Sequence, residues 1–357
     1  MTQYFAYWRR VGFGGREIVE GLVAREHAEP SPELARALSE WGGYHYWEET
    51  PEGRWLVLVR EGRKQRERWW LHAALFALTL VTTSLGGAAL SGSVREFWAL
   101  PTRAALASGL LFSLPLLAIL LAHESGHYVA ARRYRVDVSP PFFIPFPWQI
   151  NILGTMGAFI RLRSPVFDRR TLFDIGAAGP LAGMLVACPL LAIGLAWSEP
   201  TINEGAVAFA RQFIVIEGHP FFLGDSLLLL AIRRVVAPDG VLRLHPLAVA
   251  GWVGILVTML NMLPLAQLDG GHVTFALFGS VQTWIARVFW VALVLLGLLW
   301  WGWWVWAALG LILGRGRLSH PRILSPERLL GRSRRWVGYV ALAIFAVTFM
   351  PVPIAVF

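Results

Sequence analysis

His123-Glu124-Ser125-Gly126-His127 follows directly on nineteen residues, Ala104 to Ala122, that carry no formal charge, and Arg132, Arg133 and Arg135 lie just beyond. Two histidines four apart project from one face of a helix, where their ring nitrogens can share a zinc ion. Glu124, between them, is placed to move protons at a water held in the same spot. The pattern alone recurs by chance in many helices, but ionisable groups at membrane depth are costly and are rarely kept without a role. It therefore predicts metal-assisted hydrolysis inside a bilayer. The alternative is an incidental match whose histidines are held by neighbouring helices.

Composition supports the membrane setting. The 357 residues are 56% hydrophobic and only 15% charged, and mean hydropathy is +0.53, which points to an integral membrane protein. The eighteen tryptophans suit interface anchoring as well as packing. The net charge is +9, and every basic residue among the lysines and arginines except Lys64 is arginine. These charges cluster beside apolar spans, as cytoplasmic flanks do, so no nucleic-acid partner is inferred. Cys188 is the sole cysteine, which excludes an intrachain disulfide and a thiolate metal cluster. A metal must use histidine and carboxylate.

Residues 1–68 read as a small N-terminal cytoplasmic α+β domain without a secretory signal. Helical patterns are predicted near Arg16–His27 and Pro32–Trp41, and Tyr44–Glu48 with Arg54–Arg60 form a hairpin around Thr50-Pro51-Glu52-Gly53. His27 and His45 read as surface residues. The basic collar Arg60–Arg68 precedes the first span, Leu71–Leu90, and argues for a cytoplasmic amino terminus. The motif helix (104–134) then runs from outside to inside, kinked at Pro115, and its histidines face the cytoplasmic half.

Residues 136–171 are apolar without being helical, since prolines punctuate Pro140-Pro141-Phe142-Phe143-Ile144-Pro145-Phe146-Pro147-Trp148. Irregular backbone at this depth must be buried in protein or line a wet cavity. Asn151–Ile160 reads as a strand, with Gly154, Thr155, Met156 and Gly157 as candidate substrate-binding positions along an edge that an extended peptide could join. The competing reading is a structural hairpin that plugs the bundle. The third span (172–197) carries Gly179 and Gly183 at a spacing suited to close packing on the motif helix. Asp174 is placed in its first turn, offsetting the helix dipole. Glu199–Leu244 falls outside the membrane, with Phe221–Ile232 an amphipathic or re-entrant helix; His219 and Asp225 are polar residues there that nothing ties to the motif.

The fourth span (246–265) runs parallel to the motif helix and ends in Asn261-Met262-Leu263-Pro264-Leu265-Ala266-Gln267-Leu268-Asp269-Gly270-Gly271-His272. Asp269, in the Leu-Asp-Gly segment 268–270, arrives at the depth of His123 and His127 and is the candidate third ligand. Gly270 and Gly271 would let the helix break so that the carboxylate turns inward; otherwise this is a helix-ending turn with a solvated aspartate. Thr283–Leu313 reads as a tight apolar hairpin turning near Trp301-Gly302-Trp303, because the segment 315–335, with seven arginines against Glu327, belongs in the cytoplasm. A last span lies within 336–357. The fold class is thus an all-α polytopic membrane protein of about six transmembrane helices, core 69–314, with a re-entrant β-hairpin or loop and the N-terminal α+β domain.

His123-Glu124-Ser125-Gly126-His127 together with Asn261–Gly271, and the Gly154-Thr155-Met156-Gly157-Ala158 stretch between them, resembles the site-2 protease family of intramembrane zinc metalloproteases. The likeness covers roughly Ala104 to His272. No PDZ-like insert and no CBS-type tail is visible, and His245-Pro246-Leu247-Ala248-Val249-Ala250-Gly251-Trp252 is similar to the cyanobacterial and plastid branch. The resemblance implies one zinc ion held by His123, His127 and Asp269, Glu124 as catalytic acid/base, and Asn261 holding substrate carbonyl or backbone. It further implies transmembrane protein substrates, often trimmed first by an upstream protease, and a place in the cell membrane if the source is prokaryotic. Two other classes stand beside it: an inactive metal-binding membrane scaffold, which would not need Glu124, and a metal-ion transporter, for which repeated halves would be expected.

Overall fold

The computed structural model describes residues 2–13, 16–27, 31–50, 53–61, 67–90, 102–134, 136–163, 166, 168–201, 211–216, 219–321, 323 and 329–356. The turn at Pro51-Glu52, residues 62–66 of the basic collar, 202–210, and 322 with 324–328 of the basic tail lie outside the described residues. The chain divides into two compact units.

The first unit comprises Met1–Arg68 with the short segments Arg135–Ser139 and Arg161–Pro165. Strands β1 (Phe5–Phe13) and β2 (Arg16–Val23), helix α1 (Pro32–Ser39), and strands β3 (Tyr44–Thr50) and β4 (Gly53–Glu61) form it. All pairings are antiparallel, in the order β1-β2-β4-β3. Ser31 caps α1 by accepting from the Leu34 amide, and Pro32 follows at the first helical position, where its missing N–H costs nothing. Leu34 and Leu38 of α1 pack on Val19, Val23, Leu56 and Leu58. The helix expected over Arg16–His27 is instead β2 followed by a single 3-10 turn. Ile18, Val19 and Val23 are β-branched and lie on alternate faces, so pairing with β1 and β4 overrides the weaker helical period.

The second unit is mostly helical. It contains α2 (Trp69–Leu90), α3 (Arg103–Arg133), β5 (Phe142–Pro145), β6 (Thr155–Phe159), α4 (Arg169–Ala196), β7 (Glu199–Thr201), β8 (Gln212–Ile216), β9 (His219–Leu223) and α5 (Leu227–Val236). Strand β10 (Val241–Arg243), helices α6 (Pro246–Asn261), α7 (Asp269–Phe278), α8 (Gln282–Leu296), α9 (Gly302–Leu313) and α10 (Arg332–Thr348), and strand β11 (Ile354–Val356) complete it. Among the described residues, four helical stretches are long and apolar enough to cross a membrane: α2, α3, α4, and α7 continued through a 3-10 turn into α8. Helices α6 and α9 are apolar but shorter.

Helix α4 packs against α3, α6 and α7. Lipid tails are as apolar as leucine, so such helices gain by fitting closely rather than by leaving water. Small residues make that possible: a Cβ on Gly126 of α3 would lie 2.4 Å from the Ala178 carbonyl, and one on Gly194 of α4 would lie 2.2 Å from the Ala248 nitrogen. Helix α3 continues through Pro115. Strands β5 and β6 pair antiparallel as a two-stranded hairpin. His72 of α2 tethers it through the Pro141 carbonyl at 3.0 Å.

Several expectations are corrected here. Phe221–Ile232 is not one helix: His219–Leu223 is strand β9, between β8 and β11 in a sheet ordered β11-β9-β8-β10-β7, and α5 starts only after Ser226 caps it. Asp174 is not in a first turn, because α4 begins at Arg169 with Asp168 as its cap. Asp174 instead accepts two hydrogen bonds from Arg334 of α10, at 2.9 Å to Nε and 2.9 Å to Nη2, and one from the Tyr134 hydroxyl. The apolar hairpin turns over Gly297–Trp301, just ahead of the expected Trp301-Gly302-Trp303. Gly270 and Gly271 do not break a helix; they lie in the first turn of α7, and the break precedes them at Met262–Leu268. Their missing side chains admit neighbouring backbone, since a Cβ on Gly270 would meet the Met262 carbonyl at 1.9 Å and one on Gly271 the Ala266 carbonyl at 2.5 Å.

Candidate metal centre

His123, Glu124 and His127 lie buried on one side of α3. The Nε2 atoms of the two histidines are 3.1 Å apart, and Asp269 Oδ2 stands 3.2 Å from the first and 3.3 Å from the second. Around a tetrahedral zinc with bonds of about 2.0–2.1 Å, donor atoms sit about 3.4 Å from one another. The triangle matches that spacing. Among the described residues it is the one group of three or more such side chains able to hold a metal.

The second ring nitrogens show how the donors are set. His127 Nδ1 donates to the Ile175 carbonyl of α4 at 2.7 Å, which leaves the Nε2 lone pair directed into the cluster. His123 Nδ1 is buried without a hydrogen-bond partner among the described residues. The two glycines of the close-packing stripe face these rings: a Cβ on Gly179 would lie 2.0 Å from His127 Nε2, and one on Gly183 3.2 Å from His123 Nδ1. Two neutral imidazoles and one carboxylate make a donor set of the kind that zinc takes while keeping a fourth position open.

Asp269 is delivered by the Met262–Leu268 break. It occupies the first position of α7, where the helix dipole favours a carboxylate. Asn261, the last residue of α6, brings its Nδ2 to 3.4 Å from His123 Nε2, so it joins the cluster. The Ile160 backbone N–H, just past β6, faces the Glu124 carboxylate.

Gly154 and the β6 positions Thr155, Met156 and Gly157 are not part of the metal triangle. Gly154, with φ of +69°, presses on α2, where a Cβ would lie 2.2 Å from the Thr82 carbonyl. The Thr155 hydroxyl is engaged inside the hairpin, donating to the Ile144 carbonyl at 2.8 Å and accepting from the Gly157 amide at 3.0 Å. Met156 is exposed, and nothing lies within 4 Å of a Cβ placed on Gly157. The edge of β6 away from β5 has no strand paired to it among the described residues. Asp225, its carboxyl raised by burial, accepts from Gln212 Nε2 at 3.1 Å and belongs to the β8–β9 sheet region rather than to the cluster.

Sequence reasoning missed Ile175, whose contribution is a main-chain carbonyl. It also missed a second histidine pair, His272 and His320, with ring nitrogens 2.8 Å apart. His272 stood at the end of the quoted Asn261–His272 segment, but His320 sits in the basic tail with no spacing to mark it.

The sequence is similar to those of several known proteins. "Probable zinc metalloprotease EGY1, chloroplastic" of Arabidopsis thaliana is 34% identical over 245 residues, 66% of this chain and 42% of the relative. The rice (Oryza sativa subsp. japonica) protein of the same name is 38% identical over 169 residues, 46% and 27% of the two chains. "Probable zinc metalloprotease EGY2, chloroplastic" of Arabidopsis thaliana is 33% identical over 193 residues, 54% and 33%. The chain thus spans less than half the length of these relatives. No solved structure matches it. Residues 111–298, more than half the chain and the part that holds His123, Glu124, His127, Asn261 and Asp269, match peptidase family M50, and the chain belongs to that family.

Proposed function

We propose that this chain is an intramembrane zinc metalloendopeptidase that hydrolyses peptide bonds in or near the transmembrane segments of other membrane proteins. The observation that carries the proposal is the meeting of His123 Nε2, His127 Nε2 and Asp269 Oδ2 within 3.3 Å of one another, beside Glu124. These three side chains hold one zinc ion. When bound, zinc supplies Lewis acidity, which polarises a carbonyl and brings the pKa of a water towards about 7.

Glu124 takes a proton from the attacking water as its oxygen adds to the scissile carbonyl carbon. It returns a proton to the departing amine as the C–N bond breaks. Asn261 donates its amide N–H to the substrate carbonyl or backbone. A helical substrate must first unwind, because its peptide groups are bonded within the helix. The open edge of β6 receives the extended segment as an added strand, with Met156 and Gly157 at its accessible positions and Gly154 and Thr155 fixing the strand.

In the bilayer we assign about six crossings, α6 among them, with β5–β6 re-entrant and residues 1–68 cytoplasmic. The arginines at 132, 133 and 135, close after the motif, support a centre in the cytoplasmic half. Substrates trimmed by an upstream protease would reach it most readily.

The test is cleavage of a single-span peptide with helix-breaking residues by the purified full chain in liposomes. Cleavage by the wild type and none by Glu124→Gln supports the proposal. Equal cleavage by both, or zinc flux without cleavage, overturns it.

A further inference from the structure

The Met262–Leu268 break, which ends at Asp269, is stitched to the segment that follows α9. The Ala266 amide donates to the Leu318 carbonyl at 3.0 Å, holding Ala266 at φ +43°, a left-handed conformation that a side chain disfavours. Fully buried Gln282 forms a second stitch: its Oε1 accepts from the His320 amide at 3.0 Å and its Nε2 donates to the Pro264 carbonyl at 3.4 Å. The third is the His272–His320 ring pair at 2.8 Å. Phe275, stacked on the His320 ring with centroids 4.6 Å apart, fixes the ring plane.

Tautomers follow from the partners. His320 Nδ1 donates to the Pro321 carbonyl at 2.6 Å, so His320 Nε2 carries a lone pair and accepts from His272 Nδ1–H. Burial, with His272 adding to it, pushes His320 down to about 3, so it stays neutral and the pattern is fixed at working pH. The attachments at Ala266 and His272 fall symmetrically about Asp269, three residues before it and three after it.

We propose that residues 318–320 are a strap that sets the Asp269 carboxylate at metal distance, with His320 a positioning residue acting through His272. The proposal rests on Asp269 being a zinc ligand. Residues 318–320 lie beyond residues 111–298, the region matched to the family. Outer partners that orient ligands change metal affinity by about 10–100-fold when removed.

The experiment measures zinc affinity of the purified full chain in detergent by chelator competition, with the visible spectrum of the cobalt(II)-loaded protein and the unfolding midpoint of the metal-free protein alongside. His320→Ala should weaken zinc by about 10-fold or more and alter the cobalt spectrum, with little change in the metal-free midpoint. His320→Gln, which keeps an acceptor for His272, should restore most of the affinity. Gln282→Ala cuts a different stitch, leaves both histidines, and should shift affinity in the same direction. Wild-type affinity in His320→Ala and Gln282→Ala overturns the strap, as does a fall in affinity that tracks the metal-free midpoint and is not rescued by His320→Gln. Asp269→Ala separates the two levels: if it binds zinc like the wild type, the ligand reading itself fails and the strap with it.

Discussion

Gly179 faces His127 so closely that a Cβ on the glycine would lie 2.0 Å from the ring's Nε2 and 2.4 Å from two of its carbons. The ring nitrogen that joins the candidate metal triangle therefore occupies the space where any other residue would put a side chain. Helix packing and the candidate metal triangle meet in one missing methyl group.

Gly179→Ala should accordingly expel the imidazole from its place. Overpacking of this sort costs about 1–3 kcal/mol, and bound zinc should fall well below one per chain. Leu185→Ala on the same helix, where the side chain is 77% exposed, is the control and should retain zinc. Metal analysis of both purified variants decides the point.

Glu124→Gln should keep its zinc, since the triangle does not include Glu124, while turnover falls by about 10²–10⁴-fold with loss of the proton carrier. Simultaneous metal analysis and single-turnover cleavage would expose a variant that is inactive merely because it is empty.

Asp269→Ala and Asn261→Ala should part company. The first removes a donor and should lose zinc. The second leaves the donors intact and should lower the rate by about 10²–10³-fold as a lost carbonyl-binding group does. An Asn261→Ala protein as zinc-poor as Asp269→Ala would move Asn261 from substrate binding to upkeep of the metal site.

Arg334→Ala tests the Arg334–Asp174 grip, whose side chains are 36% and 26% exposed. Partly exposed ion pairs contribute about 1 kcal/mol or less, so thermal unfolding should shift slightly and zinc content not at all. A large loss of zinc would instead mean that Asp174, next to Ile175, governs His127.

His320 gives the metal-free protein a pH signature. Its folded value of about 3 lies below the ordinary 6.5, so as pH falls below 6.5 the unfolded chain takes up a proton that the folded chain refuses. The stability linked to His320 is therefore complete above 6.5 and drains away as pH drops toward 3. Denaturant titrations across that window should show a shallower decline in His320→Gln; parallel declines would remove His320 from the account.

The residues of the candidate site were legible because their spacing places them together. A step of four residues sets two ring nitrogens about one helical turn apart, and an aspartate after an apolar span can reach them. The Gly179–Gly183 stripe was legible as a packing surface, although its contact with the histidine rings was not, since spacing tells nothing of which groove a ridge enters. Gly270-Gly271 misled: glycines that end helices and glycines that admit a neighbouring carbonyl look alike in sequence, and only the path of Met262–Leu268 tells them apart. Arg16–His27 misled for a related reason, because partner strands decide between a short helix and a strand when both periods are present. Ile175 and Leu318 act through main-chain carbonyls, which every residue possesses, and no side chain announces them.

Leu318, His320 and Arg334 all lie past residue 298, where the match to the family model ends. A fragment trimmed to the recognisable stretch would retain each candidate donor yet lose the carbonyl on which Ala266 leans and the ring that steadies His272. The smallest working piece should therefore be longer than the smallest piece that can be identified, and a minimal version of this protein should be cut after α10 rather than after α8.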